Sequence, residues 1–166
     1  MTRVGTALAA LACLLAPSAA LARPQGTPTP KDLWATVNVC DTPNHPDMMG
    51  VRASMPGDAD HTKMYMRFVA QYFDRTKQLW FDVPKFGVSQ WIFVGSGLYA
   101  RRQGGYTFGF DAPAAGSTYQ LRGGVDFKWV KRGHIVRTAH LITKAGHPRT
   151  TGADPKTFSA PLCEIS

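Results

Sequence analysis

The sequence YQLRGGVDFKWVKRGHIVRTAHLI spans residues 119–142 and carries the strongest alternation of apolar and polar side chains in the chain. Apart from a glycine pair, the odd-numbered residues from Tyr119 to Trp129 are apolar and the even-numbered ones are polar. Because successive side chains of a β-strand point to opposite faces, this pattern predicts a half-buried strand. A second β-rich run, Ile135 to Ile142, follows a short polar turn, so the whole stretch predicts a hairpin.

The predicted turn centres on Arg132 and Gly133, and it determines which residues face each other across the hairpin. With a two-residue turn, the apolar residues of both strands fall on one face, whereas a three-residue loop would mix core and solvent faces. The expected pairs are Val130 with Ile135, Trp129 with Val136, Phe127 with Thr138 and, on the outer face, Lys128 with Arg137. Gly123-Gly124 interrupts the first strand and predicts a bulge or a bend.

The chain begins with the features of a secretory signal peptide, which we assign to residues 1–22. Arg3 is followed by an apolar run from Val4 to Leu15 that is too short to span a bilayer, and Ala20-Leu21-Ala22 fits a small-x-small cleavage site. Cys13 inside the apolar run leaves lipid attachment as an alternative. We therefore expect an extracellular protein with no transmembrane segment in the mature chain.

The next residues predict a tether and then a single domain. Residues 23–32 contain Pro24, Pro28 and Pro30 and are typical of an extended spacer. Residues 33–166 are long enough to form one domain with its own hydrophobic core. Strand-like runs cover residues 33–39, 50–55, 62–73, 78–83, 90–94, 106–110, 119–142 and 157–164.

The spacing of these runs predicts the fold class. Within residues 62–73, one face is uniformly apolar (Met64, Met66, Phe68, Ala70 and Tyr72), which favours a strand over a helix. Short strands separated by turn signals at intervals of about ten residues predict an all-β fold, an antiparallel β-sandwich of about seven to nine strands. An eight-stranded β-barrel is the alternative.

Two cysteines remain once the predicted signal peptide is removed. Cys40 and Cys163 form an even count in an exported chain, which predicts a disulfide between the first and the last strand. The alternative, a redox-active or metal-binding thiol pair, is disfavoured because neither cysteine has a second cysteine or histidine at ligand spacing.

The chain is basic, with 19 Lys and Arg against 11 Asp and Glu. Such a charge could favour anionic polymers, but the basic residues are spread along the chain and cluster only at Arg101-Arg102 and Lys131-Arg132. We therefore expect a protein or glycan partner rather than nucleic acid.

Four segments distributed over residues 34–163 carry a resemblance to a known group of proteins. They are NVCDTPNHP (38–46), GVRASMPG (50–57), MYMRF (64–68) and FKW (127–129). In these segments the chain resembles uncharacterised exported proteins of high-GC Gram-positive bacteria, which are similar in layout to immunoglobulin-like or fibronectin-III-like sandwiches. The resemblance implies a fold and a compartment, and it implies no activity. The cysteines lie near the chain ends, unlike the inter-sheet pair of antibody domains.

The histidines and acidic loops do not predict a catalytic or metal site. His134 and His140 are about 20 Å apart along a strand, too far to share an ion, and we expect His140 on the face of Trp129 as a structural residue. Two loops contain oxygen-bearing side chains: Asp41, Asn44, His45 and Asp47 in one, and Asp58, Asp60 and His61 in the other. Neither has calcium-ligand spacing, and such residues usually shape turns. Ser96 lacks the spacing of a nucleophile elbow. We predict no cofactor, metal or catalytic residue.

The tryptophans suggest one binding hypothesis. If Trp80 or Trp91 faces solvent beside Tyr65 or Tyr99, the rings could form a platform for sugars, and otherwise they fill the core. The favoured function is an exported, non-catalytic immunoglobulin-like module with a binding or structural role. The alternatives are a carbohydrate or cell-wall binding module, indicated by a flat aromatic strip, and a secreted hydrolase, indicated by a pocket with two titratable residues in contact.

Overall fold

The computed structural model describes residues 33–166, so the predicted signal peptide (1–22) and tether (23–32) lie outside the described residues. Nine β-strands follow one another: β1 (Trp34–Thr42), β2 (His45–Pro56), β3 (Lys63–Asp74), β4 (Leu79–Asp82), β5 (Ile92–Ser96), β6 (Arg101–Gly109), β7 (Tyr119–Lys131), β8 (His134–Ile142) and β9 (Cys163–Ile165). Within this part of the chain no helix could cross a membrane.

The strands form two sheets whose named strand pairs are all antiparallel. The smaller sheet has the order β1-β2-β6. In the larger sheet β3 and β7 are the central pair. β4 and β5 lie end to end along the free edge of β3, and β8 and β9 lie end to end along the free edge of β7. The sheets pack face to face and do not close, so the predicted sandwich is confirmed and the barrel alternative is wrong.

The core fills the space between the sheets with the inward-facing side chains of β2, β3 and β7. The largest fully buried side chains include Met49, Val51 and Met55 from β2, Met64, Met66 and Phe68 from β3, and Leu121, Val125, Phe127 and Trp129 from β7. These residues share one parity within each strand, as expected for strands with one buried face. The predicted apolar faces of β3 and β7 are therefore confirmed.

The predicted disulfide joins the two sheets. Cys40 on β1 is bonded to Cys163 on β9, and their Cα atoms are 5.3 Å apart. The bond links residues separated by 123 positions, so it ties the first strand of the domain to the last.

The β7–β8 hairpin has the predicted turn but a different register beyond it. Arg132 and Gly133 both have positive φ angles (50° and 83°), which is typical of the two-residue turn that matches strand twist. Val130 lies opposite Ile135, as expected.

A register shift after this pair moves β8 by one residue. Trp129 faces Arg137, and the expected pairs of Trp129 with Val136, Phe127 with Thr138 and Lys128 with Arg137 are wrong. The observed pairs are Trp129 with Arg137, Lys128 with Thr138, Phe127 with Ala139 and Asp126 with His140. The extra residue is Val136, and its bulge turns it towards solvent with 53% of its surface exposed.

Gly123 and Gly124 do not form the predicted bulge, because their pairing with β3 is uninterrupted. Gly123 faces the smaller sheet, and a Cβ atom there would lie 2.7 Å from Val51 Cγ2 and 2.8 Å from Thr143 Cγ2. The glycine therefore permits close approach of the sheets rather than a bend.

The segment between β8 and β9 covers the outer edge of β1. Val37 and Ala160 exchange backbone hydrogen bonds of 3.0 Å in both directions, and Thr36 Oγ1 lies 2.7 Å from Ser159 Oγ. The strand predicted at residues 157–164 is thus limited to Cys163–Ile165. The residues before it cover the edge of β1, which would otherwise expose unpaired backbone groups.

Candidate functional site

The solvent-facing side of the larger sheet carries aromatic and charged side chains across most of its area. Odd-numbered residues of β3 and even-numbered residues of β7 point outwards, because their neighbours in sequence are in the core. We call this surface the outer aromatic face, and it comprises Tyr65, Arg67, Phe73, Trp80, Trp91, Phe93, Arg122, Asp126, Lys128 and His140.

One end of the outer aromatic face is built around Lys128. Its Nζ atom lies 4.0 Å from the ring centroid of Trp91 and 5.1 Å from that of Tyr65. Tyr65 also contacts Phe93, with ring centroids 5.5 Å apart. Trp91 and Tyr65 therefore lie against one cation on the outer side of the sheet, each half-buried, which meets part of what the sugar-platform hypothesis requires.

Next to these rings, a carboxylate holds two basic side chains in place. Asp126 Oδ2 accepts hydrogen bonds from Arg67 Nε (3.0 Å) and Nη2 (2.8 Å), and its Oδ1 lies 2.7 Å from His140 Nδ1. Burial raises the pKa of Asp126, but the bonds from His140 and Arg67 outweigh it and leave that pKa below its ordinary value. The guanidinium of Arg67 lies 5.0 Å from the Trp91 ring centroid.

His140 does not share the face of Trp129, so that expectation is wrong. The bulge at Val136 shifts the parity of β8 and places His140 opposite Asp126 on the outer face. It is exposed and bound to a carboxylate rather than packed in the core.

The other end of the outer aromatic face has a similar composition. Phe73 and Trp80 have ring centroids 5.2 Å apart, and the guanidinium of Arg122 lies 4.3 Å from the Trp80 centroid. Gln71 Oε1 accepts a 2.8 Å hydrogen bond from Arg122 Nε and so fixes the cation over the ring. Since Tyr65 and Phe73 lie eight residues apart on β3, the two ends are separated by roughly 26 Å.

The other two tryptophans and Tyr99 lie elsewhere. Trp129 is fully buried. Trp34 stacks on His147, with ring centroids 4.4 Å apart. Tyr99 is 58% exposed beneath Arg102, whose guanidinium lies 4.7 Å from its centroid.

An apolar groove of about 540 Å³ opens at one end of the sandwich. Tyr72, Phe110 and Tyr119 line it, and Phe86 stands at its rim with 91% of its surface exposed. The size falls within the range of small-molecule sites. It is separate from the outer aromatic face, because Tyr72 belongs to the inward-facing residues of β3.

The acidic loops use their carboxylates to shape turns. Asp41 Oδ1 accepts a hydrogen bond from the Asp47 amide at 2.9 Å. Asp58 accepts bonds from the Asp60 amide (3.1 Å) and from Thr62 Oγ1 (2.8 Å). Among residues 33–166, no group of three or more His, Cys, Asp or Glu side chains is arranged to hold a metal ion.

His45 has a partner that the sequence did not indicate. Its Nδ1 atom lies 3.0 Å from Oδ2 of Asp154, which is 109 residues away in the chain. No local pattern links two residues so far apart, and only the packing of the 143–162 segment against β1 brings them together.

Comparisons with known proteins leave function to be argued from this geometry. No protein-family model matches the chain, and no curated protein sequence matches it.

Proposed function

We propose that this protein is an exported, non-catalytic module of immunoglobulin-like layout, akin to exported proteins of high-GC Gram-positive bacteria, that binds a glycan polymer on its outer aromatic face. The observation that carries the proposal is that Trp91 and Tyr65 both lie against the ammonium of Lys128, with ring centroids 4.0 and 5.1 Å from Nζ, on the outer side of a sheet. Aromatic side chains grouped on a protein surface usually mark an interaction site.

The geometry of the face favours an extended ligand. The surface is a sheet face rather than a pocket, and its two aromatic ends are separated by roughly 26 Å along β3. A polymer can contact both ends at once, whereas a small molecule would contact only one. Sugar rings carry apolar faces and hydroxyl edges, which suit a surface that combines aromatic rings with fixed polar groups.

The charges of the face favour an anionic glycan. Arg67, Arg122 and Lys128 all lie against aromatic rings, and the whole chain has a formal net charge of +8. Lys128 and Arg122 form no ion pair within residues 33–166, so their charges are available for carboxylate or phosphate groups of a polymer, whereas Arg67 is paired with Asp126. Asp126 pairs with Arg67 and His140, so its carboxylate repels an approaching anion less than an unpaired carboxylate would.

Cosedimentation with cell-wall fractions tests the proposal. We expect the secreted protein to pellet with wall material that retains its anionic polymers, and to pellet less when those polymers are removed. Trp91→Ala should weaken binding by about tenfold or more, as truncation of a central aromatic anchor typically does. Tyr99→Ala is the matched control, because it removes an exposed, cation-stacked ring outside the face.

Equal binding by wild-type protein and Trp91→Ala, or equal losses in both variants, would contradict the proposal. The compartment is tested separately by N-terminal sequencing of protein recovered from the medium. We expect the mature chain to begin at Arg23, after the Ala20-Leu21-Ala22 site.

A further inference from the structure

A polar cleft of about 360 Å³ crosses the solvent-facing side of the smaller sheet. Arg52 of β2 lies along its floor, Asn38 of β1 and Thr107 of β6 line its two sides, and Thr151-Gly152 forms part of its rim. This surface lies on the opposite side of the sandwich from the outer aromatic face.

Glycine at position 105 makes room for the arginine. Gly105 lies opposite Arg52 in the β2–β6 pairing. A Cβ atom at Gly105 would lie 3.0 Å from Arg52 Cδ and 3.3 Å from its Nη1, so the arginine side chain extends across the bare backbone of β6. The guanidinium is thereby held in the cleft instead of pointing away from the sheet.

Arg52 has bonding capacity that its surroundings leave unused. Its Nε atom is buried and has no hydrogen-bond partner within residues 33–166. None of the ion pairs in this part of the chain involves Arg52. Because Nε is buried, an oxyanion in the cleft would meet the guanidinium at its two Nη groups, whose parallel N–H donors suit carboxylate or phosphate oxygens.

His45 lies at the far end of the same cleft, seven residues from Arg52 on β2, which is roughly 23 Å along the strand and too far to share one oxyanion with it. Asp154 Oδ2 accepts hydrogen bonds from Thr42 Oγ1 (2.6 Å) and Asn44 Nδ2 (3.2 Å), and lies 3.0 Å from His45 Nδ1. The bonds from Thr42, His45 and Asn44 lower the pKa of Asp154, so the carboxylate is ionised and orients the imidazole. With Nδ1–H on Asp154, the Nε2 atom of a neutral imidazole is an acceptor, so it does not donate to an oxyanion.

The cleft is arranged for binding rather than for nucleophilic catalysis. The hydroxyl close to the His45 ring is that of Thr42, and it lies 3.5 Å from Nδ1, the nitrogen that already faces Asp154. Among the described hydrogen bonds no hydroxyl or thiol contacts Nε2, so within residues 33–166 His45 makes no nucleophile–base contact there. Asp154 is engaged by three donors, which reduces its repulsion of an incoming anion.

We propose that this cleft binds an oxyanion, namely a carboxylate, phosphate or sulfate group, through the guanidinium of Arg52. The hydroxyls of Thr107 and Thr151 line the same space and can donate to the remaining oxygens. The site does not depend on the outer aromatic face, so either proposal can fail without the other.

NMR titration of the whole secreted protein tests the site. Inorganic phosphate, sulfate and acetate are each added at constant ionic strength, with chloride as the balancing anion. The Nε–H resonance of Arg52 is followed as the direct readout. We expect this resonance to shift and saturate, and the order of the three affinities to show whether the cleft prefers tetrahedral or planar oxyanions.

Four variants separate specific binding from general charge. Arg52→Gln should weaken binding by about tenfold or more because it removes the charged donor, whereas His45→Gln, at the far end of the cleft, should bind as the wild type does. Arg101→Gln removes an exposed arginine at the start of the β6 pairing and should bind as the wild type does. Arg52→Lys keeps the charge but loses the planar fork, so a clear loss here supports the site even if Arg52→Gln folds poorly.

Two results would overturn the proposal. One is the absence of a saturable shift with all three anions. The other is an equal loss of affinity in Arg101→Gln and the Arg52 variants, which would mean that anion binding depends only on the overall charge of the protein.

Discussion

The guanidinium of Arg137 lies over the ring of Trp129, 3.8 Å from its centroid, on the buried side of the larger sheet. The bulge at Val136 creates this contact, because it turns Arg137 inwards and Val136 outwards. The Trp129 ring is fully buried, and its Nε1 donates a 3.0 Å hydrogen bond to the carbonyl of Pro56. Trp129 is therefore packed on several sides and closes one end of the core.

Replacing Trp129 with alanine should reduce the free energy of unfolding by roughly 3–5 kcal/mol, the usual cost of removing a large buried side chain. Urea denaturation followed by circular dichroism measures the loss. Trp91→Ala is the matched control, and it should cost clearly less because Trp91 is only partly buried. Similar losses in the two variants would mean that Trp129 does not have the core role described above.

The disulfide between Cys40 and Cys163 should stabilise the domain mainly by restricting the unfolded chain. It closes a loop of residues separated by 123 positions. The chain-entropy model gives about 4–5 kcal/mol for such a loop. We expect the double variant Cys40→Ala/Cys163→Ala to lose most of that stability, and thiol titration of the unreduced mature protein to find no free thiol. Two reactive thiols would contradict the bond.

A larger residue at position 123 should destabilise the domain, since a Cβ atom there would lie 2.7 Å from Val51 Cγ2. We expect Gly123→Ala to reduce the free energy of unfolding by about 1–3 kcal/mol through overpacking between the sheets. Gly109→Ala provides the control because a Cβ atom there meets nothing within 4 Å. Its effect should stay within about 0.5 kcal/mol. Equal effects at the two positions would contradict close sheet packing at Gly123.

Stability should depend on pH through His147, which stacks on Trp34. Burial lowers the pKa of His147 below its ordinary value of 6.5, so the unfolded chain takes up the proton more readily than the folded chain. This contribution is fully present above pH 6.5 and is lost as the pH falls below it. His147→Gln should remove that part of the pH dependence. Superimposable stability profiles of wild type and variant would show that His147 does not contribute.

The central strands were predictable because each has one face in the core and one in solvent. The alternation of apolar and polar residues in Lys63–Asp74 and Tyr119–Lys131 therefore predicted most of the buried residues of these two strands correctly. The register of β8 was not predictable in the same way. Val136 is apolar but exposed, so the rule that pairs apolar residues across a hairpin placed it opposite Trp129 on the core side and missed the bulge.

The candidate sites depend on pairing between distant segments, which the sequence does not encode locally. The orientation of Trp91 depends on how the adjoining β5 pairs with the edge of β3, and the runs around it are too short to define a face. The contact between His45 and Asp154 depends on the covering segment between β8 and β9. The sequence could therefore predict the aromatic platform only on the condition that Trp80 or Trp91 faces solvent. Nothing in the sequence indicated the polar cleft.

Mapping the chemical-shift changes of the protein on polymer binding tests most directly whether the outer aromatic face is the binding surface. Isotope-labelled protein is titrated with the anionic wall glycan that pellets it best. We expect the largest shifts at the indole N–H of Trp91, at Tyr65 and at Lys128, with the resonances of the apolar groove unchanged. Shifts centred on Phe86, with the Trp91 indole unmoved, would place the ligand in that groove and contradict the proposed function.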